Sequence, residues 1–431
     1  MSSFFKSKIF PILLVNFIGI LGYSVVIPIL IFLVTDMGGN GFIYGVLGAM
    51  YPLFQFIGAP ILGRLSDSIG RKKVLIISQL GTFLAWCLFI VAFFLPKTEL
   101  WTQSGSFTGE YIMTLPLIAV FAARIFDGFT GGNISVANAY LSDISTDEDR
   151  NKNFGQMGAA TSIGFVVGPA FAGVLAATVM GELLPILIAA LISLIAIFVI
   201  QTRLHEEEPC EVDVGKRKWT LRRFFHIEQK DCFDTEDTEE KKKAKLKDLL
   251  KMPQIPLLYV IYFLTFLAFS LFYAGLPIYA NTVLEWTAIE LGIFLAFSSL
   301  IMVLVQGPLL SRLSGRVSSK VLIYTGAFFL GCGFLLLTFQ QTPVIYIGCA
   351  IFSLGNGLMW PSFMGYLAGT GSKSTQGAIQ GYGTSMGSFA SIIGLVVGGL
   401  LFESLGTTVF VIGAIIFFSI VLVTLLRFDH Q

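Results

Sequence analysis

The chain has 431 residues, of which 55% are hydrophobic and only 13% are charged. Because a soluble globular protein carries about a quarter charged residues, this composition excludes an ordinary soluble protein and requires long segments that avoid water. The 28 Lys and Arg residues nearly balance the 27 Asp and Glu residues, giving a net charge of +1. No overall positive field therefore favours nucleic acid as a partner.

Apolar runs long enough to cross a bilayer recur along the whole chain. A transmembrane helix needs about 20 consecutive apolar residues, and the sequence offers about twelve runs near or above this length. They cover residues 9–35, 42–63, 74–95, 114–141, 154–178, 183–201, 256–281, 288–311, 319–340, 343–367, 377–402 and 406–427. We therefore predict an all-α membrane protein whose 12 transmembrane helices form two six-helix bundles.

The basic residues between the runs predict which side of the membrane each loop faces. If both chain ends lie in the cytoplasm, 26 of the 28 Lys and Arg residues fall on that side. Only Lys97 falls outside, and only Arg124 lies within a run. This asymmetry is what the positive-inside rule predicts. Since no organellar transit peptide is apparent, we expect a multi-pass protein of a bacterial inner (plasma) membrane with both termini in the cytoplasm.

Short stretches of the first half recur in the same order in the second half. Residues 27–29 (Ile-Pro-Ile) match residues 276–278 (Leu-Pro-Ile), and residues 161–164 (Thr-Ser-Ile-Gly) match residues 384–387 (Thr-Ser-Met-Gly). Internal repeats of this kind organise many transporter folds. A duplicated six-helix unit accounts for the matches, with a longer outer loop in the first half at about residues 96–113.

A charged segment joins the two halves. The chain accordingly divides into an N-terminal bundle (1–201), a cytoplasmic central loop (202–254) and a C-terminal bundle (255–431). Leu246, Leu249 and Leu250 suggest a short amphipathic helix along the inner membrane surface, and a plain solvated linker is the alternative. The histidines and cysteines of the loop match no zinc spacing, so we expect no metal site and no cofactor.

The turn after the second run reads G-R-L-S-D-S-I-G-R-K-K at residues 63–73. It resembles the signature loop of the major facilitator superfamily, G-x-L-x-D-x-x-G-R-[RK], at every signature position. Gly70 permits a tight turn, and Arg71 offers a planar fork to a carboxylate. We predict a cytoplasmic gate that contains Gly63, Asp67, Gly70, Arg71 and Lys72. The alternative is that the basic residues only anchor the turn on the positive side.

The fourth run contains the only charges deep within any run. It reads R-I-F-D-G-F-T-G-G-N at residues 124–133 and resembles the R-x-x-x-G motif of proton-coupled drug exporters. Arg124 and Asp127 are three residues apart, so they share one helix face and can pair. Ionisable residues inside a membrane are functional candidates by default. We hypothesise that Asp127 takes up and releases the coupling proton and that Arg124 modulates it, the alternative being a static Arg–Asp pair between helices.

The charged turn at residues 140–150 follows the fourth run. It resembles the inner turn between the fourth and fifth helices of tetracycline-type exporters. Asp143 is expected to pair with Arg71 or Arg150, which adds Asp143 and Arg150 to the predicted gate. A solvated charged turn is the alternative.

The fifth run contains glycines at helical spacing. Gly164, Gly168, Pro169 and Gly173 resemble the G-x-x-x-G-P-x-x-x-G motif that marks the antiporter branch, although the usual final Gly-Gly is Ala-Gly here. Glycines four residues apart let two helices approach closely, and the proline bends the helix. Generic helix packing is the alternative.

Polar and aromatic residues near the centres of the runs are candidates for a substrate pocket. They are Asn16, Tyr23, Gln55, Asn133, Tyr273, Gln306, Asn356 and Trp360. The chain also contains 11 Met and 41 Phe residues, which suit an adaptable apolar cavity.

The resemblance as a whole is to the twelve-helix drug:proton antiporter group of the major facilitator fold. It implies a secondary active transporter, not an enzyme, that exports small amphipathic organic molecules such as drugs or tetracyclines by alternating access. Export of an endogenous metabolite such as a siderophore, and proton-coupled uptake, stay open as alternatives. The expected partners are the lipid bilayer, a small organic substrate and protons, with no nucleic acid, and we expect a monomer.

Overall fold

The structure, a computed structural model, describes residues 9–131, 133–145, 149–204, 246–313, 316–370 and 376–428. Within these ranges 12 helical segments are long and apolar enough to cross a membrane, and we number them span 1 to span 12. Their helices are Phe10–Asp36, Gly41–Ile69, Arg71–Phe94, Leu115–Thr130 with Asn133–Asp143, Arg150–Ala176, Leu183–Arg203, Ile255–Thr282, Ala288–Leu304 with Leu310–Leu313, Ser319–Leu336, Thr342–Gly369, Gln376–Leu405 and Thr408–Phe428. The prediction of twelve spans is confirmed.

Two spans are interrupted, span 4 just past its midpoint and span 8 in its inner third. In span 4 the first helix ends at Thr130, and the Gly131 N–H still donates to the Asp127 carbonyl at 2.6 Å. In span 8 the residues Val305–Leu309 form a π-helical turn that contains Pro308. Because proline has no N–H to donate and crowds the preceding turn, a wider turn relieves the helix at that point.

Residue types at the helix ends explain where two of the spans begin. Gly70 has φ +103°, a conformation that side chains disfavour, and it separates span 2 from span 3. The predicted tight turn at Gly70 is therefore confirmed. Span 2 starts at its other end with Asn40, whose side chain accepts a hydrogen bond from the Ile43 N–H at 3.1 Å.

The loop between spans 3 and 4 forms a β-hairpin, where the sequence predicted only a long outer loop. Strand β1 (Glu99–Gly105) pairs antiparallel with strand β2 (Gly109–Thr114). The hairpin is fixed to the turn between spans 1 and 2, because the Ile112 N–H donates to the Gly38 carbonyl at 2.8 Å. It therefore sits against the end of the bundle at which span 1 stops.

We call residues up to 204 the first half and residues from 246 the second half. The end of the bundle at which span 1 begins is called the inner end, following the predicted cytoplasmic termini, and the opposite end is the outer end. Spans 2 and 11, and spans 5 and 8, pack against each other across the halves. The repeat is visible at two matching prolines: Pro28 is buried within span 1, and Pro277 is buried within span 7.

Only part of the predicted central loop lies within the described residues. A single helical turn, Leu246–Leu249, precedes span 7, and the Leu249 side chain is buried. Residues 205–245 and the Leu246 side chain lie outside the described residues. The division of the chain at 202–254 stays a prediction.

Candidate functional site

Arg124 and Asp127 lie buried near the middle of span 4. The distance from Arg124 Nη1 to Asp127 Oδ2 is 3.8 Å, and the two side chains are only 4% and 6% exposed. The pair forms within one helix, as the three-residue spacing predicted. Because a buried charge pair is expensive to maintain, its position at mid-membrane depth marks this place as the candidate site.

Two tyrosines from different spans enclose the Arg124 guanidinium. Its Cζ lies 5.8 Å from the centroid of the Tyr23 ring in span 1 and 5.0 Å from that of the Tyr51 ring in span 2. The two ring centroids are 4.6 Å apart. A cation over an aromatic face is stabilised by about 2 kcal/mol when water is excluded. The aromatic faces thus offset part of the cost of burying the guanidinium.

Gly128 explains how Tyr51 comes so close to span 4. A Cβ atom at Gly128 would lie 2.6 Å from the Tyr51 carbonyl oxygen, so only glycine allows spans 2 and 4 to touch there. This glycine is the last position of the R-x-x-x-G pattern. The pattern therefore has a local physical meaning, since its glycine brings an aromatic ring of span 2 onto its arginine.

Hydrogen bonds from spans 2 and 3 hold the segment of span 4 that follows Asp127. Gln55 Nε2 donates to the Gly131 carbonyl at 3.0 Å and lies 3.4 Å from the Tyr51 hydroxyl. The Ser78 hydroxyl donates to the Thr130 carbonyl. These bonds satisfy backbone groups that the break in span 4 leaves open, and they hold this part of span 4 against spans 2 and 3.

A cavity of about 30 Å³ lies beside the pair, inside the first half. Tyr23, Asp127 and Thr82 line it at mid-depth, and Asn16 and Gln79 line it toward the inner end. The sequence predicted Asn16 and Tyr23 as pocket residues but gave no reason to select Gln79, Thr82 or Tyr51.

Four of the other predicted pocket residues lie in the second half and do not line this cavity. Asn356 Nδ2 contacts Met302 Sδ at 3.0 Å, Gln306 is part of the π-helical turn of span 8, and Trp360 packs edge-on against Tyr262 and Phe266. Tyr273 lies on span 7, and its carbonyl accepts a bond from the Tyr44 hydroxyl at 3.2 Å. The Asn133 side chain lies outside the described residues. A substrate role for these residues stays a prediction.

Asn16 connects span 1 to span 5. Its Nδ2 donates to the Thr161 hydroxyl at 2.7 Å and lies 3.3 Å from the Met157 carbonyl oxygen. Asn16 therefore has a packing role in addition to lining the cavity.

Residues of the predicted gate lie together at the inner end, on spans 2, 3 and 4, and their gating role stays a prediction. Arg71 Nε donates to Asp143 Oδ2 at 3.1 Å, which confirms the first of the two predicted pairings of Asp143. Arg71 Nη1 also donates to the Ser66 hydroxyl at 2.6 Å, and that hydroxyl donates to the Gly63 carbonyl at 2.6 Å. Lys72 is half-buried beside them. The side chains of the other two predicted members, Asp67 and Arg150, lie outside the described residues.

The glycines of span 5 make two different helix contacts. A Cβ atom at Gly164 would lie 2.9 Å from Ile20 of span 1, and the Ser24 hydroxyl donates to the Gly164 carbonyl at 3.0 Å. A Cβ atom at Gly168 would likewise collide with Ser24, and Pro169 lies buried within the same helix. One turn further, a Cβ atom at Gly173 would lie 3.0 Å from the Cα atom of Gly292 in span 8. The first contacts are within the first half, and the last one joins the halves.

A second close crossing joins the halves through spans 2 and 11. A Cβ atom at Gly45 would lie 3.0 Å from the Cα atom of Gly399, and the Gly41 N–H donates to Glu403 Oε1 at 2.5 Å. Glu403 thus caps the first turn of span 2 from the opposite half. Both crossings lie near the outer ends of their spans, so the two halves meet there, and we call this pair of contacts the outer closure. No motif or spacing in the sequence singles out Gly45 or Glu403.

Comparisons with known proteins agree with this architecture. The sequence model of the Major Facilitator Superfamily matches residues 12–394 and 308–431. The tetracycline resistance protein of class E from Escherichia coli is 26% identical over 97% of this chain and 94% of its own length. Multidrug resistance protein 2 from Bacillus subtilis is 25% identical over 92% of this chain and 90% of its own length.

Among solved structures, the human organic anion transporter MFSD10 (TETRAN) superimposes with a TM-score of 0.66 at 19% identity. The match covers 96% of this chain and 98% of that one. This likeness shows a shared fold. Together with the family match, which extends over nearly all of the sequence, it shows that this multi-pass membrane transporter belongs to the Major Facilitator Superfamily.

Proposed function

We propose that this transporter exports small amphipathic organic molecules in exchange for protons, by alternating access. The observation that carries the proposal is the buried pair of Arg124 and Asp127 at mid-span, enclosed by tyrosines from two other spans. A carboxylate at this depth changes its charge when it takes up a proton, and such groups serve as proton relays in pumps and transporters. Tetracycline and multidrug resistance proteins among the relatives support export of organic compounds.

Proton uptake at Asp127 acts on the surroundings through Arg124. When Asp127 is ionised, the guanidinium is attracted to the carboxylate, and when Asp127 is neutral, only the tyrosine faces stabilise it. The Tyr51 ring belongs to span 2, which also contains Gly45 at the outer crossing with span 11. In the proposed cycle a rearrangement of the pair reaches the outer crossing through span 2, in which Pro52 lies directly after Tyr51.

The outer closure corresponds to one of the two end states that alternating access requires. A ligand shifts such an equilibrium only by binding one state better than the other. In the proposed cycle the proton favours one state and the organic substrate favours the other, and this difference couples their opposite movements.

The test measures proton movement in liposomes that contain the purified protein and an internal pH-sensitive dye. Tetracycline, tetraphenylphosphonium and a catecholate siderophore are applied in turn as gradients. Wild type is expected to move protons opposite to at least one compound, and Asp127→Asn is expected to abolish this movement because an amide cannot carry the coupling proton.

Asp36→Asn is the matched control, because it makes the same chemical change at an exposed carboxylate that pairs with Lys97 outside the cavity. This variant is expected to behave as wild type. Proton movement that persists in Asp127→Asn contradicts the assigned role of Asp127. If the siderophore is the one compound of the three that evokes proton movement, the substrate is assigned as an endogenous metabolite of that kind.

A further inference from the structure

The cavity beside Asp127 extends toward the inner end of the first half. At mid-depth it is lined by Asp127, Thr82 and Trp86, and Asn16 and Gln79 line it closer to the inner end. Asn16 and Gln79 belong to spans 1 and 3 and are both buried, at 8% and 2% exposure. Polar side chains thus continue from the candidate proton carrier toward the cytoplasmic side that the charge distribution predicts.

Trp86 lines this cavity and Arg124 lies beside Asp127, and both present buried donors without a hydrogen-bond partner among the described residues. Trp86 is 1% exposed, and its indole Nε1–H has no hydrogen-bond partner there. The same holds for Nε and Nη1 of Arg124, which lies next to Asp127. Buried donors of native proteins nearly always bond to protein or to water, and each that does neither is costly.

The size and chemistry of the cavity fit water. A water molecule needs a polar site with about 10–15 Å³ of accessible space and two to four hydrogen-bond partners. The cavity has about 30 Å³, enough for one or two water molecules. The carboxylate of Asp127, the hydroxyl of Thr82 and the amides of Asn16 and Gln79 offer acceptors and donors around it.

We propose that this cavity is a water-binding site and that its water carries protons between Asp127 and the inner end. The proposal rests on the proposed function, in which Asp127 carries the coupling proton. In the proposed export cycle the Asp127 carboxyl gives its proton to the nearest water. Each water then passes one proton to its inner neighbour, so that one proton reaches the inner end and no covalent change remains. Val15 and Leu75, both buried and apolar, line the inner part of the cavity, and they must separate briefly for each passage.

The first test measures hydration directly and needs no transport substrate. Protein labelled with ¹⁵N at its five tryptophans is placed in lipid nanodiscs, and the Trp86 indole signal is assigned with Trp86→Phe. Magnetisation transfer between bulk or bound water and the Trp86 Nε1–H is expected. An indole proton that shows no contact with water overturns the proposal.

The second test fills the cavity with a side chain. Gly19 lines the cavity, and a Cβ atom there would meet no other atom within 4 Å, so Gly19→Leu is expected to fold and to displace the water. Gly365→Leu is the matched control, because Gly365 in span 10 also has open space around its Cβ position and lies in the other half.

With Gly19→Leu we expect the water contact of Trp86 to disappear. We also expect substrate-evoked proton movement to slow by at least about tenfold, which corresponds to an increase of roughly 1.4 kcal/mol in the activation free energy. Exchange of labelled for unlabelled tetracycline across the liposome, which needs no net proton, is expected to persist. Unchanged proton movement in Gly19→Leu, with Asp127→Asn inactive, rejects the water route and leaves the proposed function standing. Proton movement that persists in Asp127→Asn rejects the proposed function itself.

Discussion

Replacing Gly45 by alanine is expected to open the outer end of the transporter. A Cβ atom at Gly45 would lie 2.5 Å from the Leu395 carbonyl oxygen and 3.0 Å from the Gly399 Cα atom, and neither backbone atom can move away without moving span 11. Alanine is otherwise about 1 kcal/mol better than glycine inside a helix. The substitution therefore destabilises only the conformation in which spans 2 and 11 are in contact. We expect transport to fall on the order of tenfold as the population of that conformation decreases.

Gly48→Ala is the matched control, since a Cβ atom there would lie 3.8 Å from the Leu395 side chain, an ordinary contact. Nitroxide labels at the exposed positions Thr178 and Ser404 report the distance between the outer ends of the halves by pulsed electron resonance. The distance is expected to lengthen in Gly45→Ala and to stay at the wild-type value in Gly48→Ala. Equal distances in all three proteins would show that the Gly45 crossing does not control the outer closure.

Replacing Arg124 by methionine is expected to be the most destabilising single change at the candidate site. The substitution leaves the buried Asp127 without its cation and removes the guanidinium from its place beside the Tyr23 and Tyr51 rings. Removal of one partner of a buried pair costs about 3–5 kcal/mol, because the other charge stays buried and uncompensated. The free energy of unfolding in detergent is the quantity to measure, since it records this loss whether or not a substrate is known.

The double variant Arg124→Met with Asp127→Asn is expected to recover most of that loss. Neutral side chains at both positions remove the uncompensated charge, so the two changes are strongly non-additive. Lys97→Met is the comparison, because Lys97 and Asp36 form an exposed pair and such pairs contribute about 0–1 kcal/mol. Additive losses at Arg124 and Asp127 would contradict the view that their charges depend on each other.

The membrane-spanning architecture follows from the sequence because its signal is long and redundant. Each span places about 20 apolar residues in a row. The basic residues between the spans independently indicate the same number of membrane crossings. The structure moves the predicted ends by only a few residues, for example from 9–35 to Phe10–Asp36. The hairpin at Glu99–Thr114 was missed, although the segment has the Gly-rich turn and β-branched and aromatic residues typical of hairpins.

The candidate site likewise contains residues that the sequence predicts and residues that it does not. Arg124 and Asp127 are three residues apart, and Arg71 with Asp143 belongs to turns that the motifs mark, so local spacing and resemblance identify all four. Tyr51 encloses Arg124 from a different helix, and no spacing in the sequence relates these two positions. Packing between spans decides such contacts, as it decides that Glu403 caps span 2 from the opposite half.

Proton-coupled export through Asp127 is tested most directly by the accumulation of labelled tetracycline in liposomes against its own gradient, driven by an imposed pH difference alone. Accumulation is expected to stop when nigericin collapses the pH difference and to be absent in Asp127→Asn, while Asp36→Asn accumulates as wild type does. Accumulation that survives nigericin, or that persists in Asp127→Asn, would contradict proton-coupled export through Asp127.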